Sequence, residues 1–315
     1  MGETQSGFSR VVVMGAGAVG CYFGARLAEA GVPVTLIGRQ AHVDAIRARG
    51  LRFESGGETR HIAIDASTTT ESLREAGLVL LCVKSPDTEA CARTIARLAP
   101  PDAIVVSMQN GVDNVERAAA GGVDALAAVV YVAVSMAGPG HVVHAGRGDL
   151  VLGEFGNGAR GARAPGRAAR VASMFESAGV PCPVVADART ALWTKLVMNC
   201  VFNAVSALAR ARYGLIVEDP LARDLTRAVV DECVAVARAD GVELPPAAEL
   251  HEAAMTLGQR MAGATSSTEQ DLARGRKTEI DSLNGYVVSR SKALGVAAPV
   301  NGALHALVRL LEASL

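Results

Sequence analysis

Six residues near the start of the chain, Gly15-Ala16-Gly17-Ala18-Val19-Gly20, constrain what its first half can fold into. They follow a run of buried-strand character, Arg10-Val11-Val12-Val13-Met14, and open an apolar segment, Cys21–Glu29, that reads as a helix. Gly31 closes that helix and Val34–Ile37 reads as a second strand. Glycines at this spacing meet three needs: a tight turn, close approach of backbone to a pyrophosphate, and close packing of helix on strand. The helix N-terminus adds N–H groups and a partial positive charge. The spacing alone is weak evidence, but inside a strand–turn–helix–strand unit it is the context a dinucleotide turn requires. The reading is a dinucleotide-binding turn on a parallel sheet, with Gly15, Ala16, Gly17, Ala18, Val19 and Gly20 as cofactor-binding residues; a purely packing turn is the alternative.

The end of the second strand bears on which dinucleotide. Sites for NAD usually carry Asp or Glu there, for the ribose hydroxyls, whereas this chain has Gly38-Arg39. A carboxylate would repel a 2′-phosphate and a guanidinium pairs with it in two-point fashion, so NADP is preferred over NAD. An exposed loop cation is the plainer account of Arg39.

The pattern continues with a helix near 41–49, a hairpin at 51–64, continuous apolar strands at Leu78–Val83 and Ala103–Met108 with a helix over 87–98 between them, and later strands at Ala125–Val134 and 141–152 joined by a Gly-Pro-Gly turn. Continuous apolar strands are covered on both faces. The segment 156–167 reads as a surface loop with solvated arginines, followed by a helix at 164–178 and a strand near 181–185. After Asp187 strand-like runs stop and helical periodicity takes over, with helices at 188–210, 219–240, 245–262, 268–294 and 301–314. The expectation is an α/β Rossmann-type domain, a mostly parallel doubly wound sheet, over 1–187, and an all-α domain over 188–315.

Within the helical half, Lys195, Asn199 and Asn203 are spaced by four in the greasy run Leu192–Asn203. On a helix they share one face, each rotated about 40° from the last. Buried ammonium and amide groups cost free energy unless paired, so this edge suggests a site for a small polar molecule. Lys84 closes the third parallel strand and Asn110-Gly111 the next, both at the carboxyl edge where open α/β sheets bind ligands; Asn-Gly is also a common turn pair. Ser267 precedes a long helix and fits a capping box with Gln270, so capping and a role in a site both stay open. Glu279 lies past the basic run Arg274-Gly275-Arg276-Lys277, and an exposed helix carboxylate is its plainer reading.

Composition excludes other classes. With 31 basic and 32 acidic residues the net charge is −1, and aromatics are 3% of the chain, so neither a basic footprint nor stacking platforms for nucleic acid are expected. No apolar run reads as a membrane span, and Met1–Arg10 lacks a signal-peptide core. The six cysteines are scattered without a Cys-x-x-Cys pair and read as reduced core residues of a cytoplasmic protein; the six histidines show no metal-ligand spacing. The oligomeric state is left open, a homodimer included.

Taken together these residues resemble the ketopantoate reductase (2-dehydropantoate 2-reductase) family along nearly the whole chain. The likeness runs through Gly15-x-Gly17-x-x-Gly20, Arg39, Lys84, Gln109-Asn110-Gly111 and Pro139-Gly140-x-Val142-x-His144. It continues in Leu192-Trp193-x-Lys195-Leu196-x-x-Asn199-x-x-x-Asn203, Ser267, Thr278-Glu279-Ile280-Asp281-x-x-Asn284-Gly285 and Pro299-x-Asn301. The resemblance implies an NADPH-dependent 2-keto acid reductase of pantothenate biosynthesis, with its site in a cleft between the two domains. It implies Lys195 as general acid for the C2 oxygen and Asn199, Asn203 and Ser267 on the substrate. Asn110 would sit by the nicotinamide ribose, Glu279 at the cofactor–substrate junction and Lys84 in the cofactor crevice. One departure is Tyr213, where some members carry a substrate-contacting Asn. It leaves another 2-keto acid as an alternative substrate; a non-catalytic NADP-sensing protein is the alternative outside enzymes.

Overall fold

The computed structural model describes residues 7–155 and 166–314. By proximity the chain divides into two compact units. One comprises residues through Gln109 together with Asp113–Ala188; the other comprises Asn110–Val112 and everything from Arg189 onward.

The first unit is built on one mixed sheet. In chain order its elements are β1 (Val11–Met14), α1 (Ala18–Glu29), β2 (Val34–Ile37), α2 (Gln40–Arg49), β3 (Leu51–Ser55), β4 (Glu58–Ile62), β5 (Asp65–Ser67) and β6 (Leu78–Leu81). They continue with α3 (Thr88–Leu98), β7 (Ile104–Ser107), α4 (Asn114–Ala120), β8 (Ala125–Gly138), β9 (His141–Glu154), α5 (Arg167–Ser177) and β10 (Val184–Asp187). The strand order is β4-β3-β9-β8-β7-β6-β1-β2-β5, with β10 also pairing β9. Only β3–β4 and β8–β9 pair antiparallel; the other neighbours are parallel. This is the Rossmann-type, mostly parallel sheet that the opening turn implied.

Strands β1, β6 and β7 are buried at every residue, which is why their sequences are apolar without alternation. Successive side chains still point to opposite faces. Val11, Val13, Leu78 and Leu80 pack with α1 and α5 residues such as Phe23 and Phe175, while Val12, Met14, Val79 and Leu81 pack with Ala92, Ile95 and Ala118 of α3 and α4.

Of this unit's strands and α-helices, β5 and α4 were missed in the sequence, being three and seven residues long with no periodic signal. The loop expected at 156–167 lies, through residue 165, outside the described residues. Arg167 departs from the solvated reading. It opens α5 and its guanidinium pairs in two-point fashion with Glu154, at 2.9 and 2.6 Å, and with Asp124 at 3.1 Å. Two acidic neighbours make it an anchor for the start of α5.

The second unit is helical: α6 (Arg189–Ala209), α7 (Tyr213–Glu218), α8 (Pro220–Ala239), α9 (Ala247–Arg260), α10 (Ser267–Ala273), a 3-10 turn (Ile280–Ser282), α11 (Asn284–Leu294) and α12 (Pro299–Ala313). Contrary to expectation, 268–294 is not one helix. α10 ends in a Schellman arrangement in which Gly275, at φ +61°, donates to Leu272 O at 3.0 Å and Arg276 donates to Asp271 O at 2.8 Å. The glycine inside the basic run was the stop signal. The helix α6 also corrects an expectation. By length and composition it is apolar enough to cross a membrane, but 67% of its most apolar window is buried inside the protein, as in a core helix.

Candidate active site

The glycine turn has a division of labour. Gly15 stands at φ +119°, and a Cβ there would lie 2.8 Å from the Cys82 carbonyl carbon and oxygen. At Gly20 a Cβ would overlap the Gly15 carbonyl oxygen and lie 2.8 Å from Val13 Cγ1, so this glycine lets α1 sit down on β1. Gly17 differs: a Cβ would meet nothing within 4 Å. No packing demand explains its lack of a side chain. It is the N-cap of α1, without a side-chain cap, and the first N–H groups of a helix have no intrahelical acceptor. Open space beside unclaimed donors fits a pyrophosphate. Ala16 is buried and its N–H donates to Ile37 O at 2.8 Å, fastening the turn to the end of β2, while Ala18 and Val19 are half-buried on the first turn of α1.

Arg39 is the N-cap residue of α2, exposed, and forms no ion pair or hydrogen bond among the described residues. Its charge reaches His42, whose pKa is pushed down by burial and by that guanidinium. Lys84 lies exposed, three residues past β6, at the start of a 3-10 turn over Ser85–Asp87. Burial pushes the Cys21 thiol up to about 12 and raises Cys82 as well, so neither cysteine near this turn offers a thiolate.

The residue before Asn110 is held by a buried polar chain. The amide of Gln109 donates to Val83 O at 2.9 Å and to the Thr88 hydroxyl at 2.6 Å, and its oxygen accepts from Ser107 at 3.0 Å. Thr88 in turn donates to Asn114 at 3.1 Å. All four side chains are buried, and each bond satisfies a group that would be costly alone. In the sequence Gln109 stands out only as part of a motif; its spacing from Thr88 and Asn114 has no local signal.

Asn110 itself belongs to the helical unit. Lys195 Nζ donates to its carboxamide oxygen at 2.9 Å, and its carboxamide nitrogen donates to Glu279 Oε2 at 3.3 Å. The orientation follows from chemistry, since an ammonium demands the acceptor end and a carboxylate the donor end. Glu279 is therefore not an exposed helix carboxylate. The break after α10 puts it on the turn before Ile280, half-buried.

Along α6 the apolar flanks are buried, while Lys195 and Asn199 are partly exposed. Asn203 is only 4% exposed. Neither the Asn199 nor the Asn203 carboxamide makes a hydrogen bond to a described residue, which leaves both able to meet a ligand's polar groups. Ser267 is exposed at the first position of α10. The cap is Ser266, whose hydroxyl accepts from Glu269 N at 3.0 Å and donates to the Asn203 backbone carbonyl at 3.2 Å. The expected box is thus shifted by one residue, and capping does not account for Ser267. Tyr213 stacks on Phe202 with ring centroids 4.3 Å apart.

Two motif positions turn out to be scaffold. Asn284 donates to Asn301 Oδ1 at 2.9 Å and to the Cys200 carbonyl at 3.4 Å, and Asn301 donates to Glu232 at 2.8 Å; both asparagines are fully buried.

Comparison with known proteins gives the arrangement a family context. The family described as ketopantoate reductase PanE/ApbA matches residues 11–157, and its C-terminal part matches 187–312. A 2-dehydropantoate 2-reductase of Halobacterium salinarum is 37% identical over 96% of this chain and 99% of its own. A crystal structure of a PanE/ApbA family ketopantoate reductase from Ralstonia eutropha superposes with a TM-score of 0.87 at 44% identity, covering 97% of this chain and 99% of that one. D-mandelate dehydrogenase, solved with NADH and anilino(oxo)acetate, reaches the same TM-score at 24% identity over 97% and 98%, a likeness of fold.

Proposed function

The chain belongs to the ketopantoate reductase family, and on that premise we propose that it reduces 2-dehydropantoate to pantoate with NADPH, using Lys195 as general acid. The observation that carries this reading is the 2.9 Å bond from Lys195 Nζ to Asn110, with Glu279 behind it. A neutral amide oxygen positions the ammonium without taking its proton.

The bound cofactor supplies the hydride that becomes the new C2 hydrogen. Lys195 gives a proton to the carbonyl oxygen as negative charge develops there, so that ketone, hydride and proton become a secondary alcohol; the amine recovers its proton from water. A positioned acid of this kind contributes about 10²–10⁴-fold. Asn110 holds the ammonium in place and Glu279 holds Asn110. Asn199, Asn203 and Ser267 bind the substrate's carboxylate and hydroxyl, and the two carboxamides, without a hydrogen bond among the described residues, support that role. Gly15–Gly20 takes the pyrophosphate, Arg39 the 2′-phosphate, and Lys84 lines the cofactor crevice.

The test is Lys195→Ala, followed by NADPH oxidation at 340 nm and by NADPH binding. Turnover is expected to fall at least about a hundredfold with binding retained; near-normal turnover removes Lys195 from the mechanism. A second reading, reduction of another branched 2-keto acid, is favoured by the Tyr213–Phe202 stack one residue from Asn203. A panel of 2-keto acids in the same assay separates the two by which gives the higher kcat/KM.

A further inference from the structure

The stretch Thr278-Glu279-Ile280-Asp281 carries two carboxylates, and the function proposed above uses only the first. Glu279 is presented on a single 3-10 turn between α10 and α11. So short a turn has few bonds of its own: Ser282 N–H donates to Glu279 O at 2.9 Å, and Ile280 N–H donates to Thr278 Oγ1 at 3.2 Å. What fixes it comes from α12. His305, Arg309 and Glu312, at i, i+4 and i+7, form one stripe of that helix.

Each member of the stripe grips the turn. Glu312 accepts the Thr278 N–H at 2.6 Å. Arg309 Nη1 donates to both Asp281 carboxylate oxygens, at 2.9 and 3.0 Å. His305 Nε2 lies 2.7 Å from Asp281 Oδ1. Gly285 is needed for the fit, since a Cβ there would stand 2.8 Å from His305 Nε2 and 3.1 Å from Ile280 O.

We propose that Asp281 is a positioning residue: gripped by Arg309 and His305 of α12, it fixes the turn that aims Glu279 at the Asn110 carboxamide. This rests on the reading that Glu279 serves the reduction. The ion pairs are about half exposed, with Arg309 at 51% and Asp281 at 45%, and such pairs contribute little to global stability. Their effect is therefore local, on the turn they hold. Burial raises the Asp281 pKa, but hydrogen bonds from His305 and Arg309 outweigh it and hold the carboxyl below its ordinary value, so the grip is charged at neutral pH.

The experiment compares Asp281→Asn, Glu279→Gln and the double variant, with Asp65→Asn, an equal charge change in the other unit, as control. The first readout is the side-chain amide resonance of Asn110 in protein labelled with 15N-asparagine. Asp281→Asn is expected to move or broaden it, as Glu279→Gln does, and Asp65→Asn to leave it in place. The second readout is turnover. Asp281→Asn is expected to lower kcat about five- to tenfold in the native background and less than about twofold in the Glu279→Gln background, because residues that act through one another are not additive. An unmoved Asn110 resonance in folded Asp281→Asn, or an equal loss of turnover in both backgrounds, overturns the proposal. If Glu279→Gln keeps full turnover, the catalytic reading of Glu279 fails, while the resonance still decides whether Asp281 positions it. Should Asp281→Asn not fold, Arg309→Gln, which removes the cation that holds Asp281, is read by the same criteria.

Discussion

Lys195 Nζ donates to Asn110 Oδ1 at 2.9 Å across 85 positions of sequence. The contact ties a helix interior to a loop that leaves a parallel strand, and neither partner makes chemical sense alone. The lysine needs an acceptor beyond a helix whose flanks are apolar, and the asparagine needs a reason to be oriented.

Truncating Asn110 therefore removes the piece that aims the ammonium. Hydrogen bonds to charged groups contribute about 1.5–3 kcal/mol, so Asn110→Ala is expected to lower kcat about tenfold to a hundredfold. Steady-state kinetics with saturating NADPH measure it. A variant with unchanged kcat would show that Lys195 is held by something else.

Gly17 and Gly20 are predicted to fail in opposite ways. Gly17→Ala adds a methyl to open space at φ −85°, so the thermal midpoint is expected to hold while dinucleotide affinity falls. Gly20→Ala drives a methyl into the Gly15 carbonyl and Val13, and overpacking of this kind costs about 1–3 kcal/mol of stability. Thermal melts and NADPH titration of both variants separate the two; unchanged NADPH affinity in Gly17→Ala would take the pyrophosphate away from this turn.

Arg39 gives the cofactor prediction. An exposed guanidinium without an ion pair among the described residues is available for a 2′-phosphate, and a charge-assisted contact of about 1.5–3 kcal/mol corresponds to about tenfold to a hundredfold in affinity. Arg39→Ala is expected to weaken NADPH by that factor and NADH by less than about twofold, read by fluorescence titration of each. Equal weakening of both would point to a general electrostatic role.

The sheet was legible because periodicity and glycine spacing are local. Strands buried on both faces announce themselves as Val-Val-Val-Met and Leu-Val-Leu-Leu, and the glycine turn after the first of them by its context. The polar edge of α6 was legible for the same reason, since spacing by four is a property of one helix. What did not show were relations between distant segments. Gln109 reads as one more polar residue until Thr88 and Asn114 stand beside it. Glu279 reads as a helix carboxylate until Gly275 ends α10, and that glycine was masked by the charges around it. Ser266 and Ser267 are chemically equivalent in sequence, and only the backbone angle of the cap, φ −73° and ψ 160° at Ser266, distinguishes them.

Tyr213 supplies a prediction about pH. Burial pushes its hydroxyl up to about 12, well above the value near 10 of an exposed tyrosine. Between those values the folded chain keeps the proton that the unfolded chain has released, so the folded state binds more protons and stability falls as pH rises. Tyr22 and Tyr131 are also raised, mainly by burial, and add to the same slope. Tyr213→Phe keeps the ring that stacks on Phe202 and removes the titrating group. Urea unfolding at pH 9 and pH 11 is expected to show a smaller loss of stability in the variant than in the native chain. The same loss in both would mean that the Tyr213 hydroxyl ionises freely in the folded protein and that its ring does not shield it from water.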